Sequence, residues 1–239
     1  MINNFQEQRA YPASQTSSQA STIFLAKVFN WMAIGLGITA IVAFLMANSA
    51  SAQNLIFGNK MLFYGLIFGE LGMVIYLSAR INQMSATRAT TLFILYSALN
   101  GATLSVILLL YTATSVASAF VVAAGMFGAM AIYGTVTKKD LTSMGSFMFM
   151  GLVGMIIASV VNIFMGSALI SWVVSAIGVV VFTGLTAYDV QKISQYGASG
   201  IMNGGETAIK KGAIMGALTL YLDFINLFLS LLRLMGDRR

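Results

Sequence analysis

Seven apolar runs divide the chain, at about residues 24–47, 61–79, 89–111, 115–134, 145–166, 168–190 and 213–235. At 1.5 Å per helical residue each can cross ~30 Å of hydrocarbon. A transmembrane β-barrel would alternate apolar and polar residues in stretches of ~10. These runs do not alternate, and a helix satisfies all its backbone polar groups within one segment. The chain is therefore expected to be an all-α integral membrane protein with seven spans. Composition closes the soluble alternative: 58% of residues are hydrophobic and 8% charged, where a soluble domain carries about a quarter charged. The same numbers exclude disorder of the whole chain.

Residues 1–22 are polar and rich in Ser and Gln, and are expected to form a flexible tail. Residues 23–239 then make one seven-helix domain. The tail lacks the charged-then-apolar order of a cleavable signal peptide. It holds the single proline, Pro12, so no proline kink is expected in any span. Two breaks, Thr112–Thr114 and Ser167, are so short that they imply tight helical hairpins. No internal repeat points to an inverted-repeat transporter.

The basic residues fall on one side. Arg9, Lys27, Arg80, Arg88, Lys138, Lys139, Lys192, Lys210 and Lys211 lie on the N-terminal side, Lys27 in the first turn of the first run, or in the even-numbered breaks, whereas the odd-numbered breaks hold only Lys60. Such a bias places the N-terminus in the cytoplasm. It also reads as membrane topology, so no nucleic-acid partner is expected. Seven crossings put the last residues outside, against the preference of Arg238 and Arg239. Crossing is favoured over re-entry of the last segment.

There is no cysteine and no histidine. Thiolate nucleophiles, Cys/His zinc sites and Ser-His-Asp triads are impossible. No Gly-rich phosphate loop with a GK[ST] ending occurs. No cofactor and no enzymatic activity are expected. Any pH sensing near neutrality falls to a carboxylate.

Ionisable residues inside spans are expensive and are functional candidates. Glu70 lies mid-way along the second run and Asp223 near the middle of the seventh; Asp189 lies at the inner end of the sixth, Arg80 at that of the second and Arg233 near the far end of the seventh. On the seventh run Thr219, Asp223, Asn226, Ser230 and Arg233 are spaced 4, 3, 4, 3, which lines one helical face. A polar stripe on an apolar helix must face protein or a water-filled path. The ordinary role of Asn100, Asn162 and Asn226 is hydrogen bonding to neighbouring helices. For Asp189 the ordinary role is an interfacial carboxylate near Lys192. For Glu70 and Asp223 it is an internal salt bridge, with Arg233 as the available partner. Gly65-xxx-Gly69 and Gly212-xxx-Gly216 permit close helix approach, although 23 glycines make such pairs common by chance.

Two longer motifs carry more. One is Phe182-Thr183-Gly184-Leu185-Thr186-Ala187-Tyr188-Asp189-Val190-Gln191-Lys192-Ile193; the other runs from Gly216-Ala217-Leu218-Thr219-Leu220-Tyr221-Leu222-Asp223-Phe224-Ile225-Asn226-Leu227-Phe228 to Leu231-Leu232-Arg233. With Tyr96-Ser97-Ala98-Leu99-Asn100-Gly101 in the third run, they resemble the Bax inhibitor-1 (TMBIM) family in its bacterial inner-membrane branch. The resemblance implies a seven-helix bundle with the C-terminal helix central. It implies a pH-sensitive calcium-leak channel gated by a proton-sharing pair, Asp189 and Asp223, which would also be a weak, transient calcium site. It implies an arginine latch on the sixth-helix aspartate, for which Arg80 is the candidate, and a second-helix glutamate paired with the seventh-helix arginine, which maps to Glu70 and Arg233. Some bacterial relatives are instead described as modulators of a membrane-bound ATP-dependent protease, so such a protease is the alternative partner.

Two carboxylates close together in low dielectric resist being ionised at once. A shared proton would hold the sixth and seventh helices together. One difficulty follows from counting. Asp189 falls at the inner edge and Asp223 about 15 Å deeper, so pairing requires that the seventh helix begin later than 213 or that the sixth sit deeper. An aspartate on each of the last two runs also suits an intramembrane aspartyl protease. That class carries GxGD at its second aspartate and a Pro-Ala-Leu element, where this chain has Tyr221-Leu222-Asp223-Phe224 and no proline beyond Pro12.

Overall fold

The structure, a computed structural model, describes residues 13–239. Eight α-helices follow one another: α1 Ala13–Ala47, α2 Ala50–Phe57, α3 Lys60–Arg80, α4 Ala86–Leu110, α5 Ala113–Val136, α6 Thr142–Met165, α7 Ala168–Ala198 and α8 Gly205–Met235. Seven of them are long and apolar enough to span a membrane, and α2 is the exception. The chain is an all-α integral membrane bundle.

The near-absent breaks are capped turns. Thr112 Oγ1 accepts from the Ser115 amide and Ser167 Oγ from the Ile170 amide, at 3.2 and 3.4 Å. Ser85 caps α4 and Asn59 caps α3 in the same way. Each cap satisfies one of the orphan amides that a helix start would otherwise leave bare near the membrane edge. The α6–α7 turn is closed by Gly166 at φ +61, a left-handed position that favours glycine. Asn162 braces this turn, accepting from the Ser167 amide and donating to Ser171 Oγ.

Three helices run further than the apolar runs that announced them. Helix α1 starts at Ala13, inside the segment expected to be a polar tail; residues 1–12 lie outside the described residues. Helix α7 continues to Ala198, beyond the expected 190, and α8 begins at Gly205, before the expected 213. Their polar ends pack on one another past the apolar zone. Ser21 Oγ bonds Ser194 at 2.7 Å, Phe24 meets Tyr196 edge-on at 5.8 Å, and Gly212 lies against both rings. Tertiary packing, not hydropathy, keeps these polar ends helical.

Helix α8 is the axis of the bundle. Tyr221, Leu218, Leu220, Leu227 and Leu232 on it are fully buried. It packs directly on α1, α4, α5 and α7, while α3 leans mainly on α4 and α6 on α7. Outer α3 and α6 bury only Leu77 and Gly145 respectively, and their remaining apolar surface is what lipid would cover. Helix α8 crosses the whole bundle. Residues 236–239 reach the α4–α5 turn, where the Thr112 amide donates to Asp237 O and the Arg239 amide to Leu110 O. The last segment thus runs the length of the bundle, as a crossing helix would.

Candidate functional site

The register of α7 against α8 brings the two aspartates together. A Cβ on Gly178 would meet Ser230, and one on Gly216 would meet Ile193; Gly212 lies against Tyr196. This antiparallel register sets Asp189 level with Thr219, one helical turn or about 6 Å from Asp223. The 15 Å gap expected from counting came from the wrong helix ends. Helix α8 begins earlier than 213, not later, so that half of the expected remedy is corrected. Helix α7 runs nine residues past Asp189, so the carboxylate lies within the helix and not at its end.

Asp223 is 5% exposed, and Asp189 is partly buried. Their carboxyls face one another. Oδ2 of Asp223 is buried and receives no hydrogen bond from any donor among the described residues, and the Asp189 carboxyl beside it can donate only when it carries a proton. A buried polar atom without a partner is costly. A proton, a cation or a water at this point would relieve it.

Two cavities meet at the pair. One, of about 710 Å³, reaches from the lysine-rich end and is lined by Asp189, Lys192, Lys211, Thr219, Ser78 and Asn82. The other, of about 820 Å³, lies between α6 and α8 and is lined by both aspartates and Asn226. Lys192 is exposed, lines both cavities and sits over the Tyr188 ring at 5.6 Å.

The rest of the α8 stripe is satisfied locally. Thr219 Oγ1 donates to Met215 O, Asn226 Nδ2 to Leu222 O and Ser230 Oγ to Asn226 O. Asn226 therefore binds its own helix, where a neighbouring helix was expected. Ser230 serves close packing, since it fills the space over Gly178.

Glu70 and Arg233 do not come together. Glu70 accepts from Asn100 Nδ2 at 3.3 Å and from Thr103 Oγ1 at 3.0 Å. Asn100 Oδ1 in turn accepts from the Tyr221 hydroxyl at 3.1 Å. Arg233 is exposed and lies three turns beyond Tyr221 along α8, about 18 Å. Arg80 is also away from Asp189. It is exposed, and its Nη1 donates to Gln83 Oε1 at 2.9 Å.

Sequence reasoning singled out neither Tyr221 by itself nor Thr39 and Gln191. Tyr221 is fully buried and joins Thr39 Oγ1 at 2.7 Å, so that α1, α3, α4 and α8 share one polar chain. The available signal was a tyrosine on the helix with the strongest polar stripe, because a buried hydroxyl demands a partner. Gln191 accepts from the Leu141 amide and donates to Lys139 O, tying the α5–α6 loop to α7. Outside the spans, Asp140 Oδ1 accepts from the hydroxyl and amide of Thr142. Those two bonds, the hydroxyl first, hold its pKa below the usual carboxylate value.

Among the described residues no cluster of three or more carboxylates gathers to hold a metal tightly. The aspartate pair offers only two carboxylates, and calcium takes six to eight oxygens.

Comparison with known proteins agrees with this architecture. The family model described as "Inhibitor of apoptosis-promoting Bax1" matches residues 22–239. The chain is 52% identical over 216 residues to the inner membrane protein YbhL of Escherichia coli K12, covering 90% of this chain and 92% of that protein. It is 48% identical over 217 residues to a protein of Borreliella burgdorferi, covering 90% and 92%. A membrane protein of Streptococcus pyogenes serotype M1 is 38% identical over 216 residues, covering 89% and 92%. With the family matched over all seven spans and both aspartate motifs, the chain belongs to the Bax inhibitor-1 (TMBIM) family of membrane proteins.

Proposed function

We propose that this chain is a pH-sensitive cation leak channel of the bacterial inner membrane, with calcium as its cargo and Asp189 and Asp223 as its gate. The single observation that carries the reading is the unpartnered, buried Oδ2 of Asp223, which faces Asp189 where two cavities meet. Family membership and the inner-membrane relative support the location. The one-sided basic residues support a cytoplasmic N-terminus.

In this reading one proton is shared between the carboxyls and joins α7 to α8. Its loss leaves two like charges in low dielectric, which repel and draw in a divalent cation. The oxygens at hand are too few for tight binding, and brief binding suits permeation. The sign follows: the closed state prevails at lower pH and the leak grows as pH rises. No resident cofactor and no catalytic step enter this reading.

The test is calcium influx into liposomes that hold a calcium dye, between about pH 6 and pH 8, the range over which a perturbed carboxylate would act. Wild type is expected to leak more at the upper end. Asp189→Asn and Asp223→Asn are expected to flatten the profile, and the double variant to abolish it. No leak at any pH, with variants indistinguishable from wild type, would overturn the channel and favour a regulator that binds a membrane-bound protease.

A further inference from the structure

The second cavity has a shape that ion conduction does not use. Helix α6 packs on α7 through Gly145 against the Tyr188 ring and Met148 against Gly184. The space between α6 and α8 is left as a cleft of about 820 Å³, within the usual range of ligand pockets. Its outer rim carries Phe149 and Ile156, exposed by 59% and 56%. Leu152 and Leu222 form its walls, and Asp223 and Asn226 lie at its inner end. The rim belongs to the outer apolar face of α6, so the cleft opens toward lipid.

The charge at the inner end selects the occupant. An anion would meet two carboxylates at the buried end, while Lys192, the one cation lining the cleft, is exposed and lies over the Tyr188 ring. A metal ion entering this cleft from the lipid side would have to shed its water among apolar side chains, unlike one that reaches the pair through the first cavity. A neutral acyl tail would fill the walls and offer the ionised carboxylate of Asp223 no donor. An alkylammonium satisfies both parts: its chain covers the leucine and phenylalanine walls, and its N–H groups donate to the carboxylate.

We propose that the cleft between α6 and α8 is a binding site for an amphiphilic cation, an N–H-bearing ammonium on an alkyl chain, held by Asp223. The site shares its aspartate with the proposed gate, so the ammonium and the shared proton compete for Asp223, but it stands whether or not the chain conducts ions. A quaternary ammonium of equal chain length lacks the N–H donors and binds more weakly.

The test is equilibrium binding of tritiated dodecylammonium to the full chain in phosphatidylcholine nanodiscs, with empty nanodiscs to measure partition into lipid. A saturable component above partition is expected. Unlabelled dodecylammonium displaces it, and dodecanol and dodecyltrimethylammonium do so poorly. Asp223→Asn weakens it about tenfold or more, the usual loss on removing a charge-assisted contact. Leu152→Trp fills the cleft, leaves Asp223 in place and also removes binding. Size-exclusion profiles and melting temperatures show whether each variant is folded; if Asp223→Asn is not, Leu152→Trp decides. Absence of saturable binding, equal displacement by dodecanol, or unchanged binding in a folded Asp223→Asn or Leu152→Trp chain would overturn the proposal. Because this readout needs no ion flux, its failure and the failure of the channel reading are separable.

Discussion

At the scale of single residues, the buried polar side chains among the described residues divide into those that are satisfied and one, Asp223, that is not. Thr219, Asn226 and Ser230 return to the backbone one turn back, so they cost little and ask for nothing. Tyr221 is different, because its hydroxyl joins Thr39 to Asn100 and through Asn100 to Glu70. Tyr221→Phe keeps the buried ring and strands those partners. It is expected to cost about 1–3 kcal/mol, read as a lower melting temperature in detergent with an unchanged helical spectrum. Asp140 offers a cleaner titration, since it lies in the exposed α5–α6 loop. Its lowered pKa means that its contribution is present above the unfolded-state value and is lost as pH falls through the folded one. Thr142→Val removes the hydroxyl bond, so the Asp140 carboxyl, followed by NMR, is expected to titrate at higher pH than in wild type. Both aspartates of the pair and Glu70 stood out in the sequence because charge inside a span is rare. Asn100 stood out too, as a group that bonds a neighbouring helix, but that it would meet Glu70 did not, because a hydrogen bond between helices leaves no trace in spacing.

At the scale of elements, small residues set how near the helices come. A Cβ on Gly134 would strike the Ala187 carbonyl oxygen, and one on Gly101 would strike Thr39 O at 2.6 Å. Gly134→Ala must therefore push α5 off α7. Overpacking of this kind costs about 1–3 kcal/mol and is expected to lower the melting temperature. Gly65 has nothing within 4 Å of an added Cβ. Gly65→Ala is expected to be neutral or to stabilise by up to about 1 kcal/mol, the helix preference of alanine over glycine. Of the two small-residue motifs in the sequence, Gly212-xxx-Gly216 meets Tyr196, Phe24, Val28 and Ile193, whereas Gly65-xxx-Gly69 meets nothing. The two look alike as text, and only their surroundings distinguish them. Helix ends show the same limit. The stretch 191–212 is polar, so hydropathy stops near the membrane edge, while α7 and α8 continue because α1 is there to pack on.

At the scale of the whole molecule, the absence of cysteine from the sequence makes orientation directly measurable. In intact cells an impermeant thiol reagent is expected to label Lys60→Cys and to spare Lys138→Cys, as a cytoplasmic N-terminus requires. The reverse pattern would invert the topology. Membrane class, the seven spans and their order were determined by the sequence, because transfer of an apolar run into hydrocarbon depends on that run alone. The two aspartates and the family followed from local motifs for the same reason. Only the tertiary structure decided which of these groups meet. The α7–α8 register, fixed by contacts such as Ser230 on Gly178, carries Asp189 to Asp223. Glu70 goes to Asn100 and Thr103, far along α8 from Arg233. The gap between α6 and α8 exists because α6 found its packing on α7. Such outcomes depend on the depth and rotation of one helix against another, which are set by close packing in three dimensions.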